Sequence, residues 1–165
     1  MAILAQNKQD VDQQLGSPTI ANNLIGGEDF FKGEKAFEYD VGDFLATVGF
    51  YGDISRYVCF TKQSLAEQAF APEDVESCLM LIAPASEWKS STDPNPASSG
   101  DKTIGSTGTT TQYQTTTKDA TGNDVDVLAW HRTTKPYVFA YCPLIPGQPA
   151  IAASPLQIDK NFGQA

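Results

Sequence analysis

The feature that most constrains the fold of this chain is a run of three strand-like segments in its C-terminal half. "TQYQTTT" is rich in threonine, whose β-branched side chain suits a pleated sheet. "VDVLAWHR" alternates apolar and polar residues, and "YVFAYCPLI" is almost wholly apolar. The turn-like stretches "KDATGND" and "TTKP" separate the three segments. The run therefore predicts a three-stranded meander in which threonine and glutamine form a polar face.

A second strand-forming region precedes the middle of the chain. "KAFEYDV" alternates, and "FLATVGFYG" has apolar residues in both of its alternating sets, as in a strand that is covered on both faces. The pair Gly52–Asp53 marks a turn before "SRYVCFT". We therefore predict a hairpin over Asp43–Thr61. Its expected core side chains are Phe44, Val48, Phe50, Val58 and Phe60.

Helical signals lie between these two regions. "SLAE" at 64–67 matches a capping box and predicts a short helix over Leu65–Phe70. The following stretch, 75–83, has helical spacing of apolar residues after Pro72, a residue suited to the first helical position. However, "CLMLIA" also has the length and composition of a buried strand. We favour a strand over Cys78–Ala83.

Three segments lack any regular apolar period. Residues 84–110, rich in Pro, Ser, Gly and Thr, predict a long low-complexity loop. Residues 1–35 and 143–165 carry isolated apolar residues between glycines and prolines, which predicts extended arms. Because such arms cannot bury their own apolar side chains, we expect them to anchor on a partner, with a disordered N-terminal segment as the alternative. The expected anchors are Leu15, Ile20, Leu24, Ile25, Ile151, Leu156, Ile158 and Phe162.

These patterns predict a mainly β fold, with an α+β fold as the alternative. The expected architecture is an antiparallel β-sandwich or open barrel with one or two short helices and extended terminal arms. A length of 165 residues suits one domain, which we place at 36–142 between the two arms.

The charge balance limits the partners. The formal net charge is −9, and no cluster of Lys and Arg is present. Binding to nucleic acid or to an anionic membrane needs such clusters. We therefore expect protein partners, either copies of the same chain or subunits of a larger assembly, and neither direct nucleic-acid nor membrane binding.

The cysteine pattern bears on the compartment. Cys59, Cys78 and Cys142 are widely spaced, odd in number and flanked by apolar or aromatic residues. This pattern favours buried free thiols and a reducing cytoplasm, although one disulfide remains the alternative. The first apolar run is too short for a signal peptide, so we expect a soluble protein.

Catalytic signatures are scarce. His131 is the single histidine, and no GxSxG motif accompanies it. Its position beside Trp130 favours a hydrogen-bonded structural role. Glu38, Asp40 and Asp43 leave a carboxylate-dependent hydrolase open. Phosphate and dinucleotide motifs are absent from the sequence, so we predict no catalytic, cofactor-binding or metal-binding residues and no cofactor.

The acidic residues near position 120 have a simpler explanation than metal binding. Asp119, Asn123, Asp124 and Asp126 resemble a calcium loop in composition, but their spacing differs from that of an EF-hand. We therefore interpret them as turn residues.

Low charge, a threonine-rich polar surface and two anchored arms favour a structural protein that acts by protein–protein contacts. The specific hypothesis is a virion or particle component, such as a minor coat, decoration or tail-associated protein. A small β-barrel or sandwich that binds a small molecule or carbohydrate is the alternative.

Overall fold

The computed structural model describes residues 2–20, 34–62, 70–84, 87–93, 110–133 and 136–151. They form two helices and one antiparallel sheet. The helices are α1 (Lys8–Leu15) and α2 (Pro72–Ile82). The strands are β1 (Thr19–Ile20), β2 (Glu34–Val41), β3 (Phe44–Tyr51), β4 (Ile54–Lys62), β5 (Lys89–Asp93), β6 (Thr110–Lys118), β7 (Asp124–Arg132) and β8 (Tyr137–Tyr141).

The sheet joins two meanders. Its strand order is β1-β2-β3-β4-β8-β7-β6-β5, and β1 contributes only two residues. The pairing of β4 with β8, in which Cys59 lies opposite Phe139, connects the hairpin region to the C-terminal meander. The mainly β, antiparallel fold is thereby confirmed, as are the predicted hairpin and the predicted three-stranded meander.

One face of the sheet carries the larger core. The five side chains predicted for the hairpin core are all buried there: Phe44, Val48, Phe50, Val58 and Phe60. The rings of Phe44 and Phe60 meet edge to face with centroids 6.3 Å apart. Apolar residues of both helices and of β7 and β8 complete this cluster, so the two meanders share one core.

The opposite face carries a smaller, aromatic cluster. Its rings are Tyr57, Trp130, Tyr137, Phe139 and Tyr141. The centroids of Trp130 and Phe139 lie only 4.8 Å apart. Since β4 and β8 contribute to both clusters, the centre of the sheet is buried on both faces.

The prediction of a strand over Cys78–Ala83 is wrong, because residues 72–82 form α2. Val75, Cys78, Leu79 and Ile82 make one buried helical stripe against the sheet. At the start of the helix, the Asp74 carboxylate accepts a hydrogen bond from the Ala71 N–H group at 2.9 Å. Neither helix in the described part of the chain is long and apolar enough to cross a membrane.

The Asp74 carboxylate also ties α2 to the sheet. The ammonium group of Lys62, at the end of β4, lies 2.9 Å from it. The hydrogen bond from Lys62 and that from the Ala71 N–H group lower the pKa of Asp74. The same Lys62 nitrogen lies 5.7 Å from the centroid of the Phe70 ring, so the approach to α2 packs on the end of β4.

The predicted loop over 84–110 contains a strand, since Lys89–Asp93 pairs with β6 as β5. Its composition, "KSSTD", is polar because β5 lies at the edge of the sheet. The predicted helix over Leu65–Phe70 lies outside the described residues, apart from Phe70. That residue is buried, and its ring centroid lies 5.7 Å from that of Phe44.

Part of the predicted N-terminal arm belongs to the core of its own chain. Ile3, Leu4, Ala5 and Val11 are buried, and Leu15 packs against the same cluster. The Ile3 N–H group donates to the carbonyl of Ile82 at the end of α2. For residues 2–15, this arrangement differs from the expectation of an arm on a neighbouring subunit. The predicted boundary after residue 35 falls within β2.

Ser55 and Gln6 fasten this N-terminal segment to the sheet. The Ser55 hydroxyl donates to the Ile3 carbonyl at 2.7 Å and accepts from the Gln6 N–H group at 3.1 Å. The Gln6 side chain donates to the carbonyl of Lys118 at 2.7 Å. The Ala120 N–H group donates to the Ala5 carbonyl, so the β6–β7 turn is held by the same segment.

The described part of the C-terminal arm also packs on its own chain. Ile145 joins the larger core and Ile151 joins the aromatic cluster. The guanidinium group of Arg56 donates to the carbonyl of Pro149, and the Arg56 carbonyl accepts from the Cys142 N–H group. Among the remaining predicted anchors, Ile20 lies in β1, and the structure describes its backbone but not its side chain. The others lie outside the described residues, namely Leu24, Ile25, Leu156, Ile158 and Phe162.

A close contact within the hairpin explains why Gly49 is a glycine. A β-bulge shifts the register here, because Gly49 lies opposite Tyr57 whereas Phe50 lies opposite Ser55. The Tyr57 ring covers Gly49 so closely that an added Cβ would lie 2.0 Å from a ring carbon. Only glycine leaves room for this ring in the aromatic cluster.

We predict that Gly49→Ala lowers the free energy of unfolding by about 2–3 kcal/mol, because the new methyl group displaces the Tyr57 ring. Urea denaturation measures the loss. As the control, the same substitution in a Tyr57→Val background should cost less than about 1 kcal/mol, since the clash is then absent. An equal cost in both backgrounds would contradict this explanation.

Candidate functional site

Helix α2 separates two concave surfaces, and each is a candidate site. One is a cavity of about 520 Å³ between α2 and strands β6 and β7, which we call the His131 cavity. The other is an open groove of about 680 Å³ between α2 and the β2–β3 turn, which we call the Met80 groove. Glu76 is the residue that lines both.

The His131 cavity has an apolar wall and a mixed wall. The approach to α2 and the helix itself supply the apolar wall, with Phe70, Pro72, Val75 and Leu79. The sheet supplies the other wall, with Thr111, Tyr113, His131 and Thr133. Thr111 and Tyr113 occupy alternating positions of β6, and His131 of β7 lies opposite Thr111. Thr133, just after β7, is two positions beyond His131, so the four residues lie on one face.

The orientation of His131 is fixed by two contacts. Its Nδ1 atom lies 2.9 Å from the carbonyl oxygen of Tyr137, and its ring stacks on Phe70 with centroids 5.9 Å apart. A carbonyl oxygen only accepts, so Nδ1 carries the proton. In the neutral imidazole, Nε2 is then the acceptor. The sequence-based expectation of a hydrogen-bonded role for His131 agrees with this geometry.

Burial keeps the imidazole neutral. Only 5% of the His131 surface is exposed, and desolvation lowers its pKa from 6.5 to about 4. At neutral pH, the cavity therefore contains an uncharged acceptor. Desolvation also raises the pKa of the Tyr113 hydroxyl, against the opposing effect of its hydrogen bond with Thr111.

The Met80 groove has a different character. Val41, Phe44, Met80 and Leu81 give it an apolar surface, and Met80 is 50% exposed although it is a large apolar residue. Asp43, Glu73 and Glu76 also line the groove, whereas no Lys or Arg does. The groove therefore combines apolar side chains with carboxylates.

The acidic residues singled out from the sequence lie on β2 and in the turn that follows it. Glu38 and Asp40 lie on β2, and only Asp43 lines one of the two concave surfaces described above. No three His, Cys, Asp or Glu side chains within the described ranges are arranged so that they could hold a metal ion.

Asp119 shapes the β6–β7 turn, as its sequence context predicted. Its carboxylate accepts hydrogen bonds from the N–H groups of Thr121 and Asn123, both at 2.9 Å. Desolvation raises the pKa of Asp119, but the hydrogen bonds with Thr121 and Asn123 together lower it further, so the net change is a lowered pKa. Gly122 completes the turn with φ +89°.

The three cysteines are buried free thiols in the structure. Desolvation raises the pKa of each of them, to about 12 for Cys142. A thiol with a raised pKa contains little thiolate, the form that reacts as a nucleophile. This environment suits core packing.

Comparisons with protein-family profiles, curated proteins and solved structures gave no match for this chain. We therefore infer the function from the geometry of the two concave surfaces. Sequence reasoning missed both of them, because each requires α2 to be a helix. The helical spacing of Val75, Cys78, Leu79 and Ile82 was the signal that could have located them, since it places Met80 on the outward side.

The lowered pKa of His131 predicts a stability change in acid. The unfolded chain binds this proton more tightly, so stability should fall as the pH drops from 6.5 through about 4. The loss attributable to His131 is on the order of 3 kcal/mol. Chemical denaturation at a series of pH values should show a steeper decline for the wild type than for His131→Asn, which keeps a donor for the Tyr137 carbonyl. Parallel pH profiles would show that His131 does not titrate in this way.

Proposed function

We propose that this chain is a structural protein that acts by binding a segment of another protein subunit in the Met80 groove. The observation that carries the proposal is the exposed Met80 side chain beside Val41, Phe44 and Leu81. An exposed apolar surface surrounded by polar residues is typical of a protein–protein contact site.

The charge around the groove supports a specific kind of partner. Asp43, Glu73 and Glu76 line the groove together with the apolar residues, and the whole chain has a net charge of −9. Opposite charges accelerate association and orient the partner. We therefore propose a partner segment in which one or two apolar side chains are flanked by Lys or Arg. Such a segment would place its apolar side chain on Met80 and its cations beside the carboxylates.

The finer proposal is that the assembly is a virus particle or a similar large complex. It is supported by two features of the sequence, a low share of charged residues and a threonine-rich polar strand. The alternative of a small-molecule binding protein has its own support in the His131 cavity.

The experiment is a titration of the ¹⁵N-labelled chain with two synthetic peptides. Both contain the same Leu and Phe residues, flanked by Lys in one peptide and by Glu in the other. We expect the Lys peptide to shift the amide signals of residues 41–44 and 76–81, with an effect that weakens at high salt. Failure of the Lys peptide to shift these signals would contradict the proposed partner.

Two matched substitutions test where the peptide binds. Met80→Asp should abolish the shifts, because it places a charge in the middle of the apolar surface. Leu144→Asp is the control, since Leu144 is also exposed, at 61%, but does not line the groove. Loss of binding in both variants, or in neither, would show that the peptide binds elsewhere.

A further inference from the structure

The His131 cavity has the properties of a small-molecule site. Its volume of about 520 Å³ lies within the range of roughly 300–1,000 Å³ that is usual for such sites. Most of its lining is apolar, and a few polar groups face the same space from the sheet. Sites of this type bind the apolar body of a ligand by desolvation and orient it through the polar groups.

The apolar wall favours a ring-shaped ligand body. Phe70 stacks on His131 at one side, with ring planes inclined by 26°. Val75 and Leu79 are buried residues of α2 that face this space, and Tyr113 of β6 lies across from them. An aromatic ring between these side chains would replace water next to carbon atoms, which is favourable.

The polar wall selects the functional group on the ligand. Nδ1 of His131 is committed as a donor to the Tyr137 carbonyl, so Nε2 of the neutral ring is the acceptor. Among the described residues, the His131 side chain makes this hydrogen bond and the Phe70 stack and no other polar or ring contact. A ligand that donates an O–H or N–H group would satisfy Nε2. Glu76 in the lining disfavours a ligand that carries a negative charge.

We propose that the His131 cavity binds a small, uncharged aromatic molecule that donates one O–H or N–H group to Nε2 of His131, a phenol being the simplest example. The inference does not depend on the Met80 groove, which lies on the other side of α2. It adds a ligand to a protein whose proposed role is protein–protein contact.

The test uses three probes of similar shape and the full chain at neutral pH. 4-Ethylphenol donates a hydrogen bond, 4-ethylanisole has the same ring without a donor, and 4-ethylbenzoate is an anion. In calorimetric titrations, we expect 4-ethylphenol to bind about tenfold more tightly than 4-ethylanisole, the usual effect of one hydrogen bond. We expect no binding of 4-ethylbenzoate. Absence of 4-ethylphenol binding would overturn the proposal and indicate a cavity that holds only water.

Two variants test the assigned roles. His131→Asn keeps a donor for Tyr137 but lacks Nε2. The two probes, 4-ethylphenol and 4-ethylanisole, should therefore bind to this variant with about equal affinity. Leu79→Trp should block both probes by filling the cavity, with circular dichroism to confirm that the variant is folded. If Leu79→Trp does not fold, Val75→Phe provides the same test. An unchanged preference in His131→Asn, or unchanged binding in a folded cavity-filling variant, would overturn the assignment.

Discussion

The architecture depends on the hydrogen bonds that Ser55 makes with the N-terminal segment. Ser55 follows the turn of the central hairpin, and its hydroxyl bonds to the backbone of Ile3 and Gln6. Separate hydrogen bonds join the same residues 2–6 to the end of α2, through the Ile3 N–H group, and to the β6–β7 turn, through the Ala5 carbonyl and the Gln6 side chain. Since the partners are buried polar groups, loss of one leaves another unsatisfied, at a cost of about 1–3 kcal/mol. Three parts of the chain that are distant in sequence are thus held at one end of the core.

With that end fixed, α2 lies across one face of the sheet and creates both candidate sites. Its buried stripe faces the core, and the Asp74–Lys62 ion pair holds its first turn against β4. On one side of the helix, the sheet residues Tyr113 and His131 line the His131 cavity. On the other side, Met80 lies exposed in the groove next to Phe44. A single helix therefore contributes to two different concave surfaces, a cavity lined in part by Tyr113 and His131 and an open groove lined in part by carboxylates.

Strands β2, β3, β4, β6, β7 and β8 were predictable because their signals are local. The alternation in 34–62 and the threonine-rich and apolar runs in 110–141 each identify a strand without reference to any other part of the chain. The segment 75–83 was not predictable with the same rules, since a short apolar run fits a buried strand or a buried helix equally well. The segment forms a helix because this conformation buries its apolar side chains on one side, namely Val75, Cys78, Leu79 and Ile82. The packing of residues 2–15 was not predictable for a related reason: their apolar side chains have no period, and their contacts with Ser55 and Ile82 are between residues distant in the sequence.

By itself, the sequence determined the class of the fold, the turn chemistry at Asp119 and the burial of the central hairpin. Each of these follows from residues that are close together in the chain. The tertiary structure alone decided what surrounds His131. The histidine is a single residue in a strand, and its neutral state and fixed tautomer come from Phe70 and Tyr137, which different elements bring to it. The physical reason is that desolvation and hydrogen bonding depend on distances in space, which local sequence patterns do not contain.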